Sequence, residues 1–354
     1  MSAQHDPLVS IVTPVLNGET HLAECIESVL AQTYQNWEYI IVNNCSDDGT
    51  LAIAEQYRQR DSRIRIYSNE TVLPIIASHN RAFSLISPQS KYCKVVSADD
   101  WIVPECVDRM VKVAEANPSV GMIGAYQLSG GDGIWYVRNV GLPYSQTVVS
   151  GREICRAHLL GMLTVFGNPT SVMYRADLMR KTDRFFPNPT QEADISACYE
   201  HLRYADFGFV HQILAHERIH SHRATTASLE INAYVSAAIS DCQVYGDWYL
   251  TKQEREARIG ELLDQYYAYL SKSALKFKDK QFWSYHHGRL RELGVRLDGR
   301  KLSLGVASKL LDLLLNPKDT VQMVQRRVRL NRARKVAAAK DKRRGLKTQA
   351  TVWR

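Results

Sequence analysis

What the chain lacks narrows it first. No apolar run among its 354 residues is long enough to cross a bilayer as a helix. The seven cysteines, an odd number, form no CxxC pair and no disulfide framework. The opening MSAQHDPLVS has neither the basic nor the apolar region of a signal peptide, so the expected compartment is the cytosol. Neither GxGxxG nor GxxxxGK[ST] occurs, which argues against a dinucleotide oxidoreductase and a P-loop NTPase. There is no internal repeat.

What remains is an ordinary globular composition, 45% hydrophobic and 23% charged, enough for a large domain and an appendage. The net charge of +8 is uneven. From Arg300 to Arg354 there are sixteen Lys/Arg against three acids (Asp312, Asp319 and Asp341), so the preceding body is mildly acidic.

Over the first 125 or so residues, strand-like and helix-like runs alternate. LVSIVTP (8–14), YIIVNN (39–44), IRIYSN (64–69), KYCKVVS (91–97) and VGMIGAY (120–126) read as strands. Residues 19–33, 46–60, 75–86 and 104–117 read as helices, the first with Leu22, Cys25, Ile26, Val29 and Leu30 on one face. Such alternation predicts an α/β fold with a mostly parallel, doubly wound sheet. The pattern is less regular over 127–225, although 152–163 looks helical and SVMYR (171–175) strand-like. It turns helical after about residue 228, over 229–246, 254–276 and 302–315. The expected organisation is a domain at 1–227, a helical extension at 228–299 and a basic amphipathic tail at 300–354.

Ligands of such sheets sit outside the carboxyl ends of the strands. Three strands end there in polar residues: Thr13-Pro14-Val15-Leu16-Asn17, then Asn43-Asn44-Cys45-Ser46-Asp47-Asp48, and Asp99-Asp100. Adjacent carboxylates repel unless a positive group is near, and Mg²⁺ or Mn²⁺ is commonly held by one or two carboxylates together with substrate phosphates. A solvated turn or a helix cap is the competing explanation of Asp99-Asp100.

The stretch VSIVTPVLNGETHLAECIESVLAQTYQNWEYIIVNNCSDDGT (9–50), with ASHNRAF (77–83) and VVSADDW (95–101), resembles family 2 glycosyltransferases of the GT-A fold. The resemblance is closest over 1–126 and weaker over 127–225. It implies an inverting, metal-dependent transfer of a sugar from a UDP- or dTDP-type donor to a glycan or lipid-linked glycan hydroxyl. By position it implies Asp100 as ligand of Mg²⁺ or Mn²⁺ and Asp99 at the ribose or the metal shell. Thr13, Pro14, Val15, Asn17, Glu19, Asn43, Asn44 and Asn80 would line the nucleotide pocket. Two positions depart from the pattern: Asn43 replaces an acid at the end of the second strand, and Ser97 replaces the first acid of the D-x-D-D motif.

The resemblance also implies a general base before a helix in QEADISACYEH (191–201), Asp194 first and Glu192 second, and an R-x-H element, Arg218 and His220, closing over the diphosphate. Without it, the two acids read equally as a first-turn pair favoured by the helix dipole, and 215–226 as a solvated basic loop. A sugar nucleotidyltransferase, and a binding protein on a degenerate transferase fold, are the alternative functions. The cationic tail has three explanations: solvated chain, nucleic-acid binder or a segment lying on an anionic membrane. Nucleic acid is disfavoured because aromatic interleaving is missing. The membrane fits a transferase working on lipid-linked glycans at the inner face.

Overall fold

The computed structural model describes residues 6–131, 133–187, 192–220, 231–276 and 278–316. They form two compact units, one of residues 6–220 with 245–251, the other of 231–244 with 252–316.

The first unit is built on one large sheet. Its strands are β1 (Val9–Val15), β2 (Trp37–Asn43), β3 (Ile64–Ser68), β4 (Tyr92–Val95), β5 (Trp101–Ile102), β6 (Val120–Gly131), β7 (Ile134–Arg138), β8 (Val148–Val149), β9 (Val172–Arg175) and β10 (Asp206–Arg218). The spatial order is β3-β2-β1-β4-β9-β6-β10-β5, with β7 on β6 and β8 on β10. Pairs β3/β2, β2/β1, β1/β4 and β6/β10 are parallel, and β9 runs antiparallel between β4 and β6. The order turns back at β1, and β1 pairs with β4 only over Val9–Val12. Pro14, which has no N–H to give a ladder, lies beyond the last of those pairs. The two strands therefore part where the polar residues begin, the position in which α/β sheets hold ligands.

Helices α1 (Leu22–Leu30), α2 (Thr50–Arg60), α3 (Ile75–Phe83), α4 (Cys106–Ala116), α5 (Gly151–Leu159), α6 (Ala176–Met179) and α7 (Ala193–His201) flank the sheet. Helix α1 buries Leu22, Cys25, Ile26 and Val29, one stripe at i, i+3, i+4 and i+7. These join Val9, Ile11, Tyr39 and Ile41 of the strands and Cys106, Val107 and Met110 of α4 in one apolar core. Several elements had no sequence expectation, among them β10, β5 and the helix Lys280–Glu292. Strand β10 was not anticipated, because register shifts between Val210 and Ile213 and between Ile213 and Ala215 break its alternation. Strand β5 is two residues long, too short to leave a pattern.

Helices α8 (Ala233–Tyr249), α9 (Lys252–Ala274), α10 (Lys280–Glu292) and α11 (Gly299–Leu315) follow. In the second unit Tyr266 and Leu270 of α9 pack with Phe282 and Leu290 of α10. Asp279 and Asp298 cap α10 and α11, their carboxylates accepting from Phe282 N at 2.8 Å and Arg300 N at 2.9 Å. The strongly basic stretch 326–347 lies outside the described residues.

Candidate active site

The tips of β1 and β2 are laced together. Asn17, with a left-handed φ of 53° that Asn tolerates better than most residues, accepts from Asp47 N at 3.0 Å and donates its own amide to Ser46 Oγ at 3.0 Å. Glu19 gives its amide to Asp48 at 3.0 Å and accepts from Gly49 N at 2.8 Å. Of the other residues expected at the nucleotide pocket, several are committed to protein partners. Thr13 is fully buried and donates to Val96 O at 2.7 Å. Asn43 accepts from Ser46 N at 3.0 Å. Asn44 accepts from Leu73 N at 2.9 Å and Asn69 Nδ2 at 2.8 Å while donating to Leu73 O. Asn80 pins Phe186 by both its backbone groups, at 2.9 and 3.0 Å. Val15 is buried and Pro14 half-buried, so Asn17 and Glu19 are the open residues of this set.

Asp99 and Asp100 follow β4 and meet the end of β10. Asp100 is only 3% exposed, and its oxygens take Thr170 Oγ1 (2.7 Å), Asn168 Nδ2 (3.2 Å) and the amide of Arg218 (3.1 Å). Burial, then the Asp99 charge beside it, pushes the Asp100 carboxyl well above the usual carboxylate range, against those hydrogen bonds. The Asp99 side chain is 35% exposed, and its Oδ2 lies 3.1 Å from His220 Nε2. The resemblance implied a cation on Asp100 and the ribose or metal shell on Asp99; by exposure, Asp99 is the outward carboxylate and Asp100 the inward one.

Arg218 is held between anchors. Its guanidinium reaches Glu24 at 2.5 Å and the Asp99 carbonyl at 3.3 Å, and lies 4.7 Å from the centre of the Trp101 ring. Trp101 stacks on His216 at 4.8 Å. His21 comes within 5.5 Å of His220, and burial followed by the charge of Arg218 lowers its pKa.

Residues without a sequence expectation complete the arrangement. Lys94, fully buried in β4, donates from Nζ to the carbonyls of Thr170 and Val172. It thereby fixes the Pro169–Ser171 turn whose Thr170 hydroxyl holds Asp100 and accepts from Ser97 N at 3.0 Å. Gly167 leads into that turn at φ +62°, and a Cβ there would lie 2.1 Å from Ser171 Oγ. Gly-Asn-Pro was the available signal for the turn. Glu217, buried on β10, accepts from Ser129 Oγ at 2.6 Å and Gln127 Nε2 at 2.7 Å. Strand alternation puts it on the opposite face from His216 and Arg218, the only hint its sequence offered.

Asp194 opens α7, its Oδ1 accepting from Ile195 N at 2.9 Å. Burial pushes its carboxyl up to about 7, and the charge of Glu217 adds to the rise. Glu217 acts in the same direction on Asp100, so its charge bears on both carboxyls. Glu192 stands at the N-cap of the same helix, with no side-chain hydrogen bond to its first turn.

The donor set suits a hard divalent cation: carboxylate oxygens, with an imidazole that Mn²⁺ accepts. Among the described residues no group of three or more His, Cys, Asp and Glu is arranged as a complete metal cage. A cation here would take one or two protein ligands and the remainder from phosphate and water.

Residues 10–182 match the family model described as Glycosyl transferase family 2. An uncharacterized glycosyltransferase of Haemophilus influenzae is 36% identical over 120 residues, which are 34% of this chain and 36% of that protein. TuaG of Bacillus subtilis, a candidate teichuronic acid biosynthesis glycosyltransferase, is 29% identical over 159 residues, 45% of this chain and 61% of that one. The chain thus matches about a third to three-fifths of the length of these relatives. Among solved structures, Staphylococcus aureus TarS 1–349 in complex with UDP-GlcNAc superposes with a TM-score of 0.59 at 16% identity, covering 80% of each chain. The mannosyltransferase PcManGT of Pyrobaculum calidifontis, in complex with GDP-Man and Mn²⁺, gives 0.50 at 12% identity over 90% of this chain and 83% of that one.

Proposed function

We propose, from the premise that residues 10–182 are a family 2 glycosyltransferase domain on a GT-A fold, that this chain moves a sugar from a UDP- or dTDP-type donor to a glycan hydroxyl with inversion. The acceptor is a cell-surface polysaccharide or its lipid-linked precursor, met at the inner face of a membrane. The observation that carries the reading is the meeting of Asp99 with His220, 121 positions apart, at the ends of β4 and β10.

In this reading Asp99 and His220 hold Mg²⁺ or Mn²⁺, and Asp100 fixes their loop from behind. The cation, when bound, supplies Lewis acidity for the departing diphosphate. Arg218, oriented by Glu24 and Trp101, adds positive charge on the same side. Asn17 and Glu19 offer polar atoms to the nucleotide at the laced rim. Asp194 takes the proton of the attacking acceptor hydroxyl, a task suited by a pKa near the working pH.

Thermal unfolding of the full chain against UDP, dTDP and GDP, with and without Mn²⁺, tests the donor side. UDP or dTDP with Mn²⁺ should raise the unfolding temperature, and Asp99→Ala should remove that rise. Transfer assays test the chemistry: Asp194→Asn should lower turnover by on the order of 10²–10⁴ while leaving donor binding in place. An Asp194→Asn enzyme that turns over like the parent overturns the assignment.

A further inference from the structure

We infer that helix α11 is a membrane-surface helix, docking the chain on an anionic lipid bilayer through an exposed leucine face. This deepens the inner-membrane placement proposed above and names the surface responsible.

Helix α11 is amphipathic in an unusual way: the face turned to its own unit is the smaller contact. Leu302 O accepts from Ser271 Oγ at 3.4 Å, and Lys301 reaches Asp264 at 2.5 Å. Gly305 comes so close to α9 that a Cβ would lie 2.3 Å from Ser271 Oγ. The inner side therefore runs through 302, 305, 306 and 313, the partly buried positions of the helix. Half a turn away, Leu304, Leu311 and Leu315 fall on one line at i, i+7 and i+11, with Leu314 beside them. They are 70%, 58%, 77% and 75% exposed, and no residue of α11 is buried. Four large aliphatic side chains in water on one stripe are unfavourable unless something apolar receives them.

Charge selects the occupant. The helix carries Arg300, Lys301 and Lys309 against Asp312, and the 39 residues after it carry thirteen Lys/Arg against Asp319 and Asp341. Those later residues lie outside the described structure and enter only by their charge. A protein groove would receive the leucines without needing such a reservoir of positive charge. An anionic bilayer accepts both, the leucines at the acyl boundary and the basic residues among its headgroups. At 17 residues with four charges, α11 is of the kind that lies on a bilayer; among the described residues no helix is long and apolar enough to cross one.

Co-sedimentation with lipid vesicles tests this, using the full chain and a full-length Leu304→Ser/Leu311→Ser/Leu315→Ser variant. The vesicles are phosphatidylcholine alone, or phosphatidylcholine with about 30 mol% phosphatidylglycerol. The parent should bind the anionic vesicles and not the neutral ones. The variant, with unchanged circular dichroism because the three side chains are exposed, should bind on the order of tenfold more weakly. Three results would overturn the inference: equal binding by parent and variant, equal binding of the parent to both vesicle types, or a concentration-dependent parent dimer that the variant abolishes. None involves sugar transfer, so failure here leaves the transferase reading untouched, and failure of transfer leaves this one standing.

Discussion

In the proposed reading, burial, helped by the charge of Glu217, prepares the Asp194 carboxyl for base chemistry. Its pKa of about 7 against a usual 3.8 means that turnover should rise with pH and level off above about 7, a profile that the Asp194→Asn enzyme should lack. The same shift works against stability. A carboxyl whose folded pKa is raised favours the folded state below its unfolded pKa, and that contribution is lost as pH rises through about 7. Asp194→Asn should therefore be more stable than the parent at pH 8, by about 1–2 kcal/mol, and calorimetry at pH 5 and pH 8 would measure it. Lys94 offers the opposite case. Lys94→Ala leaves the carbonyls of Thr170 and Val172 buried without their donor, which should cost about 2 kcal/mol or more in chemical denaturation.

At the scale of elements, the turn Pro169–Ser171 decides how Asp100 sits, and Gly167 decides how the turn sits. Gly167→Ala should weaken donor binding more than it weakens turnover, since it displaces Thr170 and not Asp194; the split between KM and kcat measures this. Such dependence explains what the sequence could reveal. Strands β1, β2 and β4 and helices α1 and α4 were legible because each carries its own period: buried β-branched runs, or a stripe at helical spacing. Strand β10 was not, because its bulges destroy the alternation that announces a strand. Asp99-Asp100 stood out as a pair, but which of the two faces outward is set by Thr170 and Asn168, about seventy residues away. Distant partners of that kind leave no local mark. Asn44 and Asn80, expected at the nucleotide pocket, likewise bond backbone groups of Leu73 and Phe186 that no local pattern announces.

At the scale of the whole molecule, both units carry an acid-sensitive histidine. Each unit buries one neutral histidine whose pKa burial lowers to about 4: His201, stacked on Phe185 at 4.5 Å, and His286, whose Nδ1 lies 2.6 Å from Tyr266 OH. With folded values below the usual 6.5, the unfolded chain binds more protons, so their contribution is full above pH 6.5 and is lost as pH falls toward about 4. In the second unit the unfolding temperature should drop over that window; in the first, the raised carboxyls of Asp100 and Asp194 act in the opposite direction. His286→Gln should flatten the drop of the transition in which the second unit melts.

The lacing between the ends of β1 and β2 has a kinetic corollary. Asn17, Glu19, Asp47 and Asp48 are held by one another's groups, so in the proposed reading the donor meets walls that need little rearrangement. On the proposed donor reading, that edge would work as a lock cut in advance: association should come in a single fast phase, with discrimination among nucleotides expressed in how long each one stays.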